Sequence, residues 1–150
     1  MKKALMFAAA LLTAAPVASY AQFAKPEDAI RYRKGALTVM SAHFGRVAPV
    51  VKGERPYDAQ EVAANVAIAE TMSKLPWVAF MPGTEKGGDT KAKPEIWTNN
   101  DKFKTASENM QKAMATLSVA AKAGNLDQVK AAFGETGKAC KACHDDFREK

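Results

Sequence analysis

The chain has 150 residues, 47% hydrophobic and 25% charged, with a formal net charge of +6. At that length one domain around a single core is the expectation. Its Lys and Arg residues are scattered among acids, with no basic stripe interleaved with aromatics, which argues against nucleic acid as a partner.

The first 21 residues stand apart. A positive MKK start leads into the apolar run ALMFAAALLTAAPVA, and Ser19-Tyr20-Ala21 puts small residues at the two positions a signal peptidase reads. The expectation is a secretory signal over 1–21, cleaved after Ala21, leaving one mature domain, 22–150. Loss of Lys2 and Lys3 lowers the formal charge from +6 to +4, a mild positive field that favours acidic partners. The apolar run is short for a membrane span, so no membrane partner is expected; a retained N-terminal anchor is the alternative. Export places the two cysteines of the chain in an oxidising compartment, where a disulfide is the default.

Four helical segments follow. The first begins near Pro26, a residue suited to a first turn, with Glu27 and Asp28 complementing the helix dipole. Ile30, Leu37, Met40, Phe44, Val47 and Val51 recur on one face until the segment ends around Pro49 to Gly53. The second opens on Asp58-Ala59-Gln60-Glu61, an acidic variant of the capping box, continues through Val62, Val66, Ala69 and Met72, and stops before Pro76. A long loop spans about 75–98, rich in Gly, Pro and Lys, and such loops are functional or mobile. Trp77 and Phe80 are expected to fold back over the core. The third segment starts near Asn99 or Asn100, carries Phe103, Ala106, Met110, Ala113, Leu117 and Ala120, and is capped by Gly124. The fourth starts near Asn125 and carries Leu126, Val129, Phe133, Cys140, His144 and Phe147. No strand, repeat or low-complexity segment stands out. The pattern predicts an all-α fold, an antiparallel four-helix bundle with shallow crossings.

The final helix holds the chemistry. Cys140, Cys143 and His144 form Cys-x-x-Cys-His, the attachment signature of c-type haem. Each residue of a helix turns by about 100°, so all three side chains leave one face, which continues the apolar stripe into the core. Each thiol adds to one vinyl group of the porphyrin, and the next residue lies under the iron as its proximal ligand. Covalent haem, one per chain, is the expectation. The competing readings are a chance occurrence, a disulfide within CxxC, and a zinc site, which wants four ligands and has only His43 to complete the set.

The sixth coordination position has two sets of candidates. Met40 lies on the apolar seam, where methionine is commonly core filler. His43 lies about 90° from the seam centre, a flank position. Arg33 sits in the middle of the seam, where a charge is costly unless paired. It either snorkels out past the first turn or pairs with a haem propionate, and Lys34 borders the same turn.

A C-terminal CKACH on the last of four helices, a secretory signal, and the stretches QFAKPEDAIRYRKGALTVMSAHFGR and LPWVAFMPGTE resemble the cytochromes c′, the class II c-type cytochromes of proteobacteria. The resemblance covers the whole mature chain. CxxCH is specific to c-type haem, and its C-terminal placement separates this class from class I cytochromes c, which carry it near the N-terminus. The resemblance implies a periplasmic four-helix bundle with covalent haem c held by Cys140 and Cys143, and His144 as proximal iron ligand. It implies five-coordinate, high-spin iron with Leu37 over the open distal face, where low-spin relatives have methionine. It places Arg33 near the propionates and Arg148 close to the proximal face. It puts the stretch 83–89, and with it Asp89, where the family's loop passes the haem edge, although the loop TEKGGDTKAKPE is longer than the family pattern. A homodimer through the first two helices is implied, with Ala36, Val39 and His43 on the outward side.

The function that follows is binding of NO and CO at the iron, with Leu37 gating entry, together with capacity for electron transfer to a redox partner protein. The alternative is a low-spin electron shuttle with Met40 or His43 as sixth ligand. A peroxidase wants a polar distal acid–base pair, and the residues expected there are Leu37, Met40 and aromatics, so an enzyme is not expected. A plain structural bundle with a disulfide at CxxC is the remaining class.

Overall fold

The computed structural model describes residues 22–150; the expected signal segment 1–21 lies outside them. The elements in chain order are α1 (Pro26–Val51), α2 (Ala59–Ser73), a 3-10 turn (Pro76–Ala79), a one-turn α3 (Glu95–Thr98), α4 (Asn100–Lys122) and α5 (Leu126–Phe147). Among the described residues, extended pairing is limited to one isolated bridge between Ala92 and Arg148.

Local chemistry sets the helix ends. Pro26 opens α1, and Gly53, at φ 77°, follows its last turn and donates its N–H to Val50 O at 3.1 Å. At α2 the Asp58 carboxylate accepts from the N–H groups of Gln60 and Glu61 at 2.9 and 3.0 Å. The reciprocal half of the expected capping box is not made, because Arg55 holds the Glu61 carboxylate at 3.1 and 3.2 Å. Gly124 adopts φ 68° after α4, and Asn125 Oδ1 accepts from Gln128 N–H at 3.0 Å to start α5.

The four long helices close into a ring: α1 packs on α2, α2 on α4, α4 on α5, and α5 on α1. Their directions alternate. Phe103 in the first turn of α4 meets Phe147 in the last turn of α5, with ring centroids 5.2 Å apart. Trp77, just past α2, meets Phe103 as well, at 5.8 Å. One end of the bundle thus gathers the C-terminal ends of α2 and α5 and the start of α4. The main core is built from Met40, Val47, Val62, Val66, Met114, Leu117 and Val129. Each fully buried aliphatic side chain in it contributes about 1.5–3 kcal/mol relative to exposure. Stacked Phe44 and Phe133, 4.1 Å apart, tie α1 to α5. A second cluster of Ile96, Phe103 and Phe147 seals the end, with Trp77 and Phe80 folded back onto it.

The long loop is held by Arg33. This residue of α1 is 2% exposed. Its guanidinium donates to Ala79 O at 3.0 Å, Thr84 Oγ1 at 2.8 Å, Thr84 O at 2.8 Å and Thr90 Oγ1 at 2.9 Å. The Phe80 ring lies beneath it, 4.4 Å from centroid to Cζ. Burial lowers its pKa to about 10, opposed by Glu85, so it stays charged at neutral pH. Beside it Lys34 Nζ bonds Asp89 O at 3.0 Å and Asp89 Oδ2 at 3.1 Å. The loop comes close enough here to require glycine: Gly88 has φ 56°, and a Cβ on it would stand 3.0 Å from Ile30 Cγ2.

Replacing Arg33 by Met strips four donors from the loop and leaves buried oxygens unpaired. The expected loss is ~3 kcal/mol of folding free energy, since each orphaned buried group costs about 1–3 kcal/mol. Urea denaturation reads it; an unchanged midpoint would show that the loop is held by other contacts.

Candidate functional site

The last three turns of α5 carry the candidate haem ligands. Val129 and Phe147 are buried in the same direction on the helix, and they define its inward line. Relative to that line Cys140 lies about 20° to one side, Cys143 about 40° to the other and His144 about 60° off. The two thiols are half-buried and free. Cys140 packs against the main core and Cys143 against the aromatic end cluster. His144 is exposed. This corrects the expectation of an imidazole pointing into the core: the 60° offset carries the ring out of the packed stripe. It lines an open cavity of about 880 Å³ with Lys93, Asp145, Arg148, Glu149 and Lys150.

The donor set fits haem attachment. Burial, reinforced by Cys140 and Asp146, pushes the Cys143 thiol up to about 11, and burial raises Cys140 as well. Both are therefore S–H groups at neutral pH, the species whose sulfur and hydrogen add across a vinyl bond. His144 is shifted the other way. Partial desolvation by the protein around it, then the Arg148 charge, lowers its pKa, against an opposing pull from Asp145. Solvent reaches the residue, yet its ring is neutral at pH 7 and keeps a lone pair for iron. Among the described residues no three His, Cys, Asp or Glu side chains converge as a bare metal site, so the Cys-Cys-His set does not close into a zinc centre.

The other expected site residues fall into two groups. Leu37 is half-buried on α1 and packs on the core cluster that also receives Cys140. Met40, 8% exposed, is part of that cluster. His43 is occupied elsewhere: its Nδ1 is 2.9 Å from Asn65 Oδ1 on α2 and 3.3 Å from Arg46. Arg33, Lys34 and Asp89 form the second group: Lys34 pairs with Asp89, while Arg33 holds the same loop through Ala79, Thr84 and Thr90. The four bonds from Arg33 to loop oxygens leave its Nε–H for any added carboxylate. Asp89 is 93% exposed in its side chain and paired with Lys34 at 3.1 Å. On the outward side of α1, Val39 is 40% exposed while Ala36 is buried, contrary to its expected outward position, because the Ala36 side chain faces the groove against α2.

Sequence reasoning missed the partners of the loop. Thr84 and Thr90 supply the hydroxyls that receive Arg33, and the one available signal was two threonines bracketing a Gly-Gly pair. Lys93 was missed as well, and it reaches the cavity of His144.

The comparisons with known proteins agree with this geometry. The cytochrome c′ family model matches residues 28–148. Cytochrome c′ of Alcaligenes xylosoxydans xylosoxydans is 57% identical over 129 residues, 86% of this chain and 99% of that protein. Cytochrome c′ of Rubrivivax gelatinosus is 51% identical over 129 residues, 86% of this chain and 100% of that protein. Among solved structures, the nitric oxide complex of a leucine-to-alanine variant of the Alcaligenes xylosoxidans protein superposes with a TM-score of 0.81. It shares 53% identity and covers 86% of this chain and 99% of its own. The Rubrivivax gelatinosus structure gives a TM-score of 0.83 at 51% identity, covering 85% of this chain and 100% of that one. Haem c is the cofactor of these proteins, and Cys140 and Cys143 on α5 are consistent with its attachment motif. With a four-helix bundle, free thiols one turn apart at its C-terminal end, and relatives matched along nearly their full length, the chain belongs to the cytochrome c′ family.

Proposed function

We propose that the chain is an exported, periplasmic haem protein that binds NO and CO at a five-coordinate iron, and that ligand binding rather than catalytic turnover is its activity. Cys140 and Cys143 hold the haem, and His144 supplies the proximal bond. When bound, the haem supplies an iron that takes up a diatomic ligand in its ferrous state and exchanges one electron. Electron transfer to a partner protein is therefore within its reach. The observation that carries the reading is the placement of Leu37: it packs on the same core cluster as Cys140, on the helix that Phe44 and Phe133 join to α5. Nitric oxide complexes have been solved for the Alcaligenes xylosoxidans relative, including a leucine variant.

The residues of the chain divide the work. Leu37 offers apolar bulk and no ligating atom, so it screens the distal position from water and larger ligands. Arg148 stands next to His144 and places a positive charge beside the imidazole. A second copy docks against α1 and α2, where Phe23, Tyr32, Ala36, Val39, Met72 and Leu75 line an open groove of about 480 Å³ and Ile68 is 39% exposed nearby on α2.

Visible spectra of the exported protein, with and without CO and NO, test the coordination. A high-spin spectrum that changes promptly with NO is expected; a low-spin spectrum indifferent to CO means a sixth protein ligand and points to Met40. Leu37→Ala is expected to speed NO and CO binding about tenfold or more, equivalent to ~1.4 kcal/mol off the entry barrier. Stopped-flow rates equal to those of the unaltered protein would rule out gating by Leu37. Intact-mass measurement gives the attachment: Cys140→Ala with Cys143→Ala is expected to lose the covalent haem mass that the unaltered protein carries.

A further inference from the structure

We propose that residues 90–93 form a strap that fixes Arg148 beside His144, and that Lys93 is a second cation and positioning residue on that proximal side. The proposal rests on the assignment of His144 as the iron ligand. It starts from the position of Arg148, which lies one residue past the last residue of α5, where backbone ordinarily frays. α5 ends at Phe147, and Arg148 is already extended, at φ −122° and ψ 132°. Its N–H still reaches His144 O at 3.1 Å, but the carbonyls of the last turn have no further helical donors.

The loop supplies them. Lys93 N–H donates to Phe147 O at 3.0 Å, and Glu149 N–H donates to Lys91 O at 2.9 Å, which makes the antiparallel bridge between Ala92 and Arg148. Lys93 Nζ donates to Asp145 O at 3.0 Å, and Lys91 Nζ to Lys150 O at 3.0 Å. Lys93 therefore caps α5 twice, by backbone and by side chain, and puts its charge at the negative end of the helix dipole. The other end of the strap is anchored in the bundle. Thr90 Oγ1 accepts from Ala92 N–H at 3.2 Å and from Arg33 Nη2 at 2.9 Å. Arg148 is thereby held by a segment more than fifty residues earlier in the sequence, and that segment is in turn held by α1. Because Lys93 and Arg148 line the same cavity as His144, the strap holds two positive charges in the cavity that the imidazole enters.

Three variants of the haem-loaded protein test this. Lys93→Pro removes the N–H and the charge, Lys93→Gln keeps the N–H and removes the charge, and Lys93→Arg keeps both. Hydrogen-exchange mass spectrometry of the C-terminal peptide reads the strap. Protection at the Glu149 amide is expected to fall about tenfold in Lys93→Pro, the scale of one net hydrogen bond. The reduction potential reads the charge: it is expected to fall in Lys93→Gln, since a lost cation favours ferric iron, and to return in Lys93→Arg. Unchanged protection in Lys93→Pro overturns the strap, and an unchanged potential in Lys93→Gln overturns the cation. Should Lys93→Pro fail to fold, the potentials of the Gln and Arg variants still decide the second half. A fourth variant, Thr90→Val, which loses the anchor to Ala92 N–H and Arg33, then decides the first: unchanged exchange at Glu149 overturns the strap. The exchange reading needs no iron ligand, so a wrong assignment of His144 shows separately, as a protein whose spectrum is insensitive to His144→Ala.

Discussion

A buried guanidinium organises the end of the bundle where the site lies. Arg33 occupies a position on α1 that the seam pattern reserves for an apolar side chain, and a bare charge there costs several kcal/mol. The cost is offset by neutral oxygens and aromatic faces: four short bonds to Ala79, Thr84 and Thr90, with Phe80 and Trp97 beneath the cation. Two consequences follow from that one arrangement. The loop between α2 and α4 is drawn down onto α1, and Phe80 and Trp97 are fixed where they seal the second cluster around Phe103 and Phe147. Phe147 closes α5, so the register of the helix that carries the cysteines is bound to the same set of contacts.

The site itself depends on helix geometry. A spacing of three residues sets the two thiols one turn apart and still lets one face the main core and the other the aromatic end. The following residue swings past the packed line and comes out at the edge. The polar surroundings of His144 follow from that swing: Asp145, Arg148 and Lys93 lie around its cavity, whereas Leu37 and Met40 lie on the apolar side of α1. One side of the site is consequently charged and open to water, the other apolar and packed.

Most of this was legible from the sequence where a short-range rule governs. Helix ends at Pro26, Asp58, Gly124 and Asn125 were readable because capping is local, and the helical seams were readable because burial follows the period. Cys140, Cys143 and His144 stood out as a set because the chemistry of haem attachment fixes such a spacing. Arg33 was readable as an anomaly but not in its partners, since Thr84 and Thr90 lie 51 and 57 residues away and no period links them. Lys34 and Asp89 were each expected at the site, and the structure pairs them with each other, which a one-dimensional pattern does not encode. The outward direction of His144 turned on an angular offset of about 60° from the centre line, just beyond the half-width of a stripe about 100° wide, a margin that residue spacing alone does not resolve.

The long loop also explains why so much hydrogen bonding is concentrated in so few residues. Ordering each loop residue costs about 1–2 kcal/mol of backbone entropy. A disulfide across such a loop can meet the cost by constraining the unfolded chain. Here both cysteines sit in the haem motif, and none remains to close the segment. Closure falls instead to side chains with several donors: Arg33 with four bonds at one point of the loop, Lys34 at the Gly88–Asp89 turn, and Lys93 at its far end. Arginine and lysine suit this role because each carries several N–H donors that backbone carbonyls accept directly. The basic excess of the chain thus has a structural share, spent on tying an otherwise open loop to both ends of the site.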